Sequence, residues 1–180
     1  MAHTTKEWWA NTKSDPEKLA SWLQRQYVGE LAAVNLLSEV LLRFGGEATT
    51  EEWDTVYRVM GQEALHAKWM RDICVDRSIF LENNASAQER YWKEVLPNIS
   101  SFHEAMDAAF HAEHMRLERI REIAADEDLK ISDLAKVFAK ILPHEEWHEE
   151  VFGAIRHSAA GSTTKYHKKG LEALNLVLSD

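Results

Sequence analysis

Two parts of the sequence carry a glutamate followed three residues later by a histidine. The pairs are Glu63 with His66 and Glu145 with His148. If both parts are helical, the two side chains of a pair lie on one face, about 4.5 Å apart along the axis, and both can reach one metal ion. Chance alone produces about one such pair in a chain of this composition. The pairs are therefore weak evidence for a metal site until other residues support them.

Support comes from glutamates that interrupt the apolar faces of predicted helices. Four long segments have apolar residues at three- and four-residue spacing, the pattern of a helix with one buried face. Near the middle of each segment that face carries acidic or histidine residues, which in chain order are Glu30, Glu63, His66, Glu113, Glu145 and His148. A buried carboxylate without a partner costs roughly several kcal/mol. Two divalent cations would balance four carboxylates, so the pattern predicts a site for two metal ions.

The spacing along the chain places these residues at one level. Glu30 and Glu63 are 33 residues apart, and Glu113 and Glu145 are 32 apart. The turn predicted between Phe44 and Thr49 lies about 14 residues from both members of the first pair, and the turn predicted between Asp126 and Ser132 lies about 13 from both members of the second. Helices that reverse direction at these turns bring each pair to the same height. All six side chains are therefore expected to lie close together, at the same height along the four helices.

The composition favours an all-α protein. Seven Gly and three Pro are few for 180 residues, and a sheet would need more turns. Caps and breaks predict helices at 16–44, 50–78, 88–96, 98–125, 132–160 and 166–178. We expect an N-terminal extension at 1–15, a helical bundle at 16–160, and a short C-terminal helix packed on the bundle at 161–180.

Charge and cysteine content narrow the function. The net charge of −9 and the lack of a basic stripe argue against a nucleic-acid partner. Cys74 is the only cysteine, which excludes an intrachain disulfide and a cysteine-rich metal site. Met1 to Ala10 lacks the apolar core of a signal peptide, and no apolar run approaches the ~18 residues of a membrane span. We expect a cytoplasmic protein without a membrane partner.

Glu, Glu-x-x-His, Glu and Glu-x-x-His on four successive helices resemble the ferritin-like di-iron carboxylate proteins. This superfamily includes bacterioferritins, rubrerythrins and several oxygenases, and the resemblance covers about residues 19–160. It implies an antiparallel four-helix bundle in which a long crossover, here residues 79–97, joins the second helix to the third. The ligands it implies are Glu63 and Glu145 as bridges, Glu30 and His66 on one metal, and Glu113 and His148 on the other.

Some residues near this pattern leave alternatives open. Glu104 and Glu118 are other acids on the third predicted helix, although the spacing favours Glu113. Three more histidines are expected either at the surface or as hydrogen-bond partners of the ligands: His111, His114 and His144. Pro143, one turn before the fourth-helix pair, is expected to bend that helix.

The ligand set determines the chemistry. Oxygen-rich ligands with one imidazole per metal suit iron or manganese better than copper, and zinc is also compatible with this ligand set. We expect two iron ions, with manganese or a mixed manganese–iron pair as alternatives. Two irons held by bridging carboxylates store two electrons, so O2 or H2O2 is the expected oxidant.

Several functions fit that chemistry. The preferred one is an oxidase or oxygenase acting on a small organic substrate, because the Trp- and Phe-rich helices, the N-terminal extension and Pro143 depart from a compact storage ferritin. The alternatives are ferritin-like iron oxidation and storage, or peroxide scavenging similar to rubrerythrin. A helical assembly protein that has lost its metals is disfavoured, because all six candidate ligands are present. A homodimer or larger homo-oligomer is expected, and the sequence does not identify the electron donor.

Overall fold

The computed structural model describes residues 4–81, 87–156 and 163–178. Every regular element in these ranges is helical. The seven α-helices are α1 (Thr5–Ser14), α2 (Pro16–Phe44), α3 (Thr50–Asp76), α4 (Ala87–Val95), α5 (Phe102–Ala124), α6 (Ser132–Arg156) and α7 (Thr163–Val177). The predicted all-α class is confirmed. None of the helices in the described ranges is long and apolar enough to cross a membrane.

The predicted signals at both ends of α2 act as expected. The Asp15 side chain accepts hydrogen bonds from the first backbone N–H groups of α2, and Pro16 is its first residue. The helix ends at Phe44, before Gly45. Thr49 then caps α3 through a capping box with Glu52, in which each side chain accepts a hydrogen bond from the other residue's backbone N–H.

Helix α1 lies in the segment for which the sequence predicted only an extension. The side chain of Thr4 caps it, and Trp8 and Trp9 bury their rings against Trp22 of α2. The indole N–H of Trp9 donates to Asp126 over 2.6 Å. The signal was therefore present in the sequence, as a capping threonine before a pair of tryptophans.

Other differences from the predicted boundaries are small. Helix α5 begins at Phe102 instead of residue 98, because the Ser101 side chain caps it by accepting from the backbone N–H of Glu104. Helix α3 ends at Asp76, and Ser78 beyond it has a positive φ of 56°, which a helix cannot continue through. Helix α6 runs through Pro143 to Arg156. The predicted end of this helix at residue 160 lies outside the described residues, whereas Thr163 and Thr164, predicted as loop, begin α7.

The buried apolar residues form two separate clusters. We call the first the Trp22 cluster; its members include Leu19, Trp22, Leu23, Met70, Ile73, Ile120, Ile123, Leu134, Phe138 and Ile141. We call the second the Phe102 cluster; its members include Leu37, Val40, Val56, Val59, Phe102, Met106, Ala109 and Phe152. Along α2 and α6 the chain passes from the Trp22 cluster to the Phe102 cluster, and along α3 and α5 it passes in the reverse order. The six predicted site residues lie between these two groups in sequence on all four helices.

The segment between α3 and α5 also contacts both clusters. Ile79 and Leu81 pack against the Trp22 cluster, directly after α3. Further on, Tyr91 and Trp92 of α4 are buried in the Phe102 cluster. Helix α4 also contacts α7, which packs on α5 through Tyr166. The described residues directly after α3 and those of α4 therefore lie at different clusters.

Two leucines on α2 test which face of this helix is buried. Leu23 is fully buried in the Trp22 cluster, whereas Leu42 is 86% exposed. We expect Leu23→Ala to lower the free energy of unfolding by about 2–5 kcal/mol, because it leaves a cavity. The matched variant Leu42→Ala should change it by less than about 0.5 kcal/mol. Chemical denaturation measures both, and equal effects would contradict the packing of α2.

Candidate metal centre

The six predicted site residues come together inside the protein. None has more than 4% of its surface exposed. They are supplied by four helices, as the sequence predicted: Glu30 from α2, Glu63 and His66 from α3, Glu113 from α5, and Glu145 and His148 from α6. Among the acids considered on α5, Glu113 is the one that enters the cluster. Glu118 is exposed, and Glu104 bonds Ser100 and Tyr166 instead.

The donor atoms of the cluster fall into two groups that share two glutamates. In each group, one ligand atom per residue lies within 4.8 Å of every other. The first group is Glu30, Glu63, His66 and Glu145, and the second is Glu63, Glu113, Glu145 and His148. Glu63 and Glu145 belong to both. The arrangement matches two adjacent metal positions with two carboxylates in common.

The shared glutamates turn one oxygen towards each histidine. Oε1 of Glu145 lies 3.2 Å from Nδ1 of His66, and its Oε2 lies 3.3 Å from Nδ1 of His148. In Glu63, Oε2 lies 3.8 Å from Nδ1 of His66 and Oε1 lies 3.2 Å from Nδ1 of His148. A carboxylate with its two oxygens directed to two positions is the disposition that a bridging ligand needs.

Most donor atoms of the cluster have no hydrogen-bond partner among the described residues, although they are buried. These atoms are Oε2 of Glu30, both carboxylate oxygens of Glu63 and of Glu145, Oε2 of Glu113, and Nδ1 of His66 and of His148. Buried polar atoms are nearly always hydrogen-bonded, because leaving them without a partner is costly. Eight such atoms in one place indicate that a cation fits there. The donor set of carboxylates and imidazoles could hold a metal ion.

The remaining nitrogen of each histidine is held by a neighbouring side chain. Nε2 of His66 lies 2.9 Å from Nδ1 of His144, and Nε2 of His148 lies 2.9 Å from Oε1 of Gln62. An amide oxygen only accepts, so His148 carries a proton on Nε2 and directs Nδ1 into the cluster. Such partners fix the orientation of metal-binding imidazoles. His144, left open by the sequence, thus hydrogen-bonds a candidate ligand.

Arg116 is a member of the cluster that the sequence analysis did not identify. It is 5% exposed, and its guanidinium lies against all four glutamates. Nη2 donates to Oε1 of Glu30 over 2.5 Å and lies 3.1 Å from Oε1 of Glu145. Nη1 lies 3.7 Å from Glu63 and 3.6 Å from Glu113. The sequence does contain an indication of this residue: Arg116 follows Glu113 by three residues, which is where α3 and α6 have the histidine after their glutamate.

The carboxylates keep the histidines protonated when only protein groups act on them. Burial alone lowers the pKa of an imidazole, but close contacts with Glu145, Glu30 and Glu63 outweigh it and raise the pKa of His66 to about 12. Against the same effect of burial, Glu145 and Glu63 raise the pKa of His148 to about 9.

The glutamates divide into two kinds. Burial, together with the charge of Glu145, holds the pKa of Glu113 well above its usual value, and burial raises the pKa of Glu30 to about 7 despite Arg116. Burial also acts to raise the pKa of Glu145, but Arg116 and the two histidines outweigh it and hold that pKa well below normal. The histidine contacts also lower the pKa of Glu63, against burial and the charge of Glu145. The two glutamates shared by both donor groups are therefore the ones whose pKa values are lowered.

The other histidines named from the sequence lie outside the cluster. His114 is exposed and pairs with Glu149. His111 is buried beside Asp107 and Arg156, and burial lowers its pKa to about 4. Neither belongs to the two groups of donor atoms.

Comparisons of this chain with protein-family models, with curated proteins and with solved structures find no match. The chemistry of the site is therefore inferred from the cluster itself.

The pKa values predict how metal binding depends on pH. A metal ligand must lose its proton, and at neutral pH His66 and His148 hold protons that a metal would displace. At higher pH the free-energy cost of removing these protons is smaller. We expect the affinity for Mn²⁺ to rise between about pH 6 and 8, by about tenfold per pH unit for each proton released. Calorimetry in buffers of different ionisation enthalpy counts the protons, and an affinity that does not change with pH would contradict this assignment.

Gln62 offers a separate test of how His148 is oriented. We expect Gln62→Leu to weaken Mn²⁺ binding by about tenfold or more, because the Nε2–H of His148 loses its acceptor. Gln62→Glu keeps an acceptor at the same place and should retain most of the affinity. If both variants bind like the parent, Gln62 does not orient the ligand.

Proposed function

We propose that the cluster binds two metal ions. His66 and Glu30 would hold one ion, His148 and Glu113 the other, and Glu63 and Glu145 would bridge them. The observation that carries the proposal is the pair of donor groups that share those two glutamates. The buried donor atoms without hydrogen-bond partners support it independently.

We further propose that the four long helices form the ferritin-like antiparallel bundle. The order in which they meet the two apolar clusters supports this topology. Helices α2 and α6 run from the Trp22 cluster to the Phe102 cluster, and α3 and α5 run the opposite way. Helices α3 and α5 follow one another among the four long helices and run in the same direction, so they need a connection along the length of the bundle. Ile79 and Leu81 contact the Trp22 cluster, and residues 91–99 contact the Phe102 cluster, as the two ends of such a crossover would.

The proposed metals are two iron ions, with manganese in one or both positions as the alternative. Such a pair supplies two electrons for the reduction of O2 or H2O2. The protein's own groups would hold the ligands in position. Gln62 and His144 orient the two imidazoles, and the apolar clusters on both sides keep bulk water away from the carboxylates.

As the activity, we propose the oxidation of a small organic substrate by an oxidase or oxygenase. The tryptophan-rich packing of α1 on the bundle and Pro143 inside α6 support it, since both depart from a compact storage subunit. Anaerobic loading with Fe²⁺ followed by O2 tests the proposal. Rapid O2 consumption that ends after the bound iron is oxidised is expected. A hollow particle that mineralises hundreds of irons would instead indicate storage, and a strong preference for H2O2 over O2 would indicate peroxide scavenging.

Substitution of a bridging glutamate tests the two-metal site directly. We expect about two metal ions per chain in the parent protein and fewer than one in Glu63→Ala, because Glu63 contributes to both donor groups. The helical circular dichroism should persist, since the substitution also relieves repulsion among buried carboxylates. The control is Glu51→Ala, an exposed glutamate on the same helix.

Elemental analysis after growth with added iron measures the metal content. A parent protein without metal would refute the two-metal proposal. If Glu63→Ala unfolds, the role of Glu63 is structural.

A further inference from the structure

Arg116 brings a permanent positive charge into the proposed metal centre. A guanidinium stays protonated at all pH values that proteins encounter, so its charge cannot be removed by burial. Within the described residues, its ion pairs are all to the four glutamates of the cluster. The guanidinium therefore offsets part of the negative charge of the buried carboxylates.

Arg116 forms ion pairs with oxygen atoms that a metal ion would need. Oε1 of Glu145 lies 3.1 Å from Nη2 of Arg116 and 3.2 Å from Nδ1 of His66. Oε2 of Glu63 lies 3.7 Å from Nη1 of Arg116 and 3.8 Å from the same Nδ1. These two oxygens are directed both to the guanidinium and to the position beside His66. A carboxylate oxygen paired with a guanidinium has less negative charge to offer a metal.

The geometry also distinguishes Arg116 from an ordinary orienting residue. Gln62 and His144 contact the histidines on the nitrogen that faces away from the cluster. Arg116 instead contacts the carboxylates of the cluster themselves. Its Nη1 has no hydrogen-bond partner among the described residues. A cation in that position repels a second cation placed among the same oxygens.

We propose that Arg116 is a built-in competitor of the metal ions: it holds the four carboxylates together without metal and lowers the affinity for metal because its positive charge lies beside their oxygens. The inference rests on the proposed metal site. In this arrangement the protein can fold before metal arrives, and it exchanges metal more readily than a cluster of carboxylates alone would. A metal ion binds only as the guanidinium releases Glu145 and Glu63.

The test is Arg116→Met, which keeps an unbranched side chain and removes the charge. The metal-free variant should unfold at a temperature several degrees lower than the metal-free parent, because four carboxylates lose their fixed cation. Its dissociation constant for Mn²⁺ should fall by about tenfold or more, because the repulsion between cations is gone. The control is Arg121→Met on the same helix, whose guanidinium pairs with Glu146 at the surface; it should change neither quantity.

The outcomes separate this inference from the metal site itself. If the parent binds no Mn²⁺ and Arg116→Met binds none either, the two-metal proposal fails. If the parent binds two ions and Arg116→Met binds them with equal or lower affinity, Arg116 is not a competitor and only this inference fails. Should Arg116→Met not fold without metal, Arg116→Lys provides the affinity measurement. A lysine ammonium keeps the charge but cannot contact all four carboxylates, so the affinity of Arg116→Lys for Mn²⁺ should exceed that of the parent by a smaller factor than expected for Arg116→Met.

Discussion

Four carboxylates buried at one level between two apolar clusters are the constraint on which the structure depends. Negative charges so close together repel strongly in a poorly solvated interior, and apolar side chains provide neither hydrogen bonds nor opposite charges to stabilise them. The molecule supplies positive partners on three sides: two imidazoles from α3 and α6, and the guanidinium of Arg116 from α5. Even so, eight donor atoms have no hydrogen-bond partner among the described residues. These unpaired donor atoms are the observation that supports the proposed metal centre.

The packing of the helices explains why this polar layer is tolerated. On either side of it, large side chains such as Trp22 and Phe138 at one end, and Phe102 and Phe152 at the other, bury extensive apolar surface. That burial is the main stabilising contribution in a helical protein of this size. The polar layer can therefore be optimised for chemistry at some cost in stability, as functional sites usually are.

The environment divides the four glutamates into two roles without any difference in residue type. Glu63 and Glu145 contact both histidines and have lowered pKa values, whereas Glu30 and Glu113 have raised pKa values. The pair with lowered pKa values is also the pair shared by both groups of donor atoms. Charge and geometry thus agree on which carboxylates would bridge, and the agreement arises from position alone.

The sequence by itself determined the helical class, most helix ends and the six residues of the cluster. Each of these follows from local rules: caps at Asp15 and Thr49, apolar spacing, and the interruption of an apolar face by Glu or His. Tertiary structure decided what depends on contacts between helices. The docking of α1 through Trp9, the pairing of His66 with His144, and the entry of Arg116 into the cluster join residues up to 117 positions apart. Spacing along one helix shows which face a side chain occupies, but only the packed helices determine which partner it meets there.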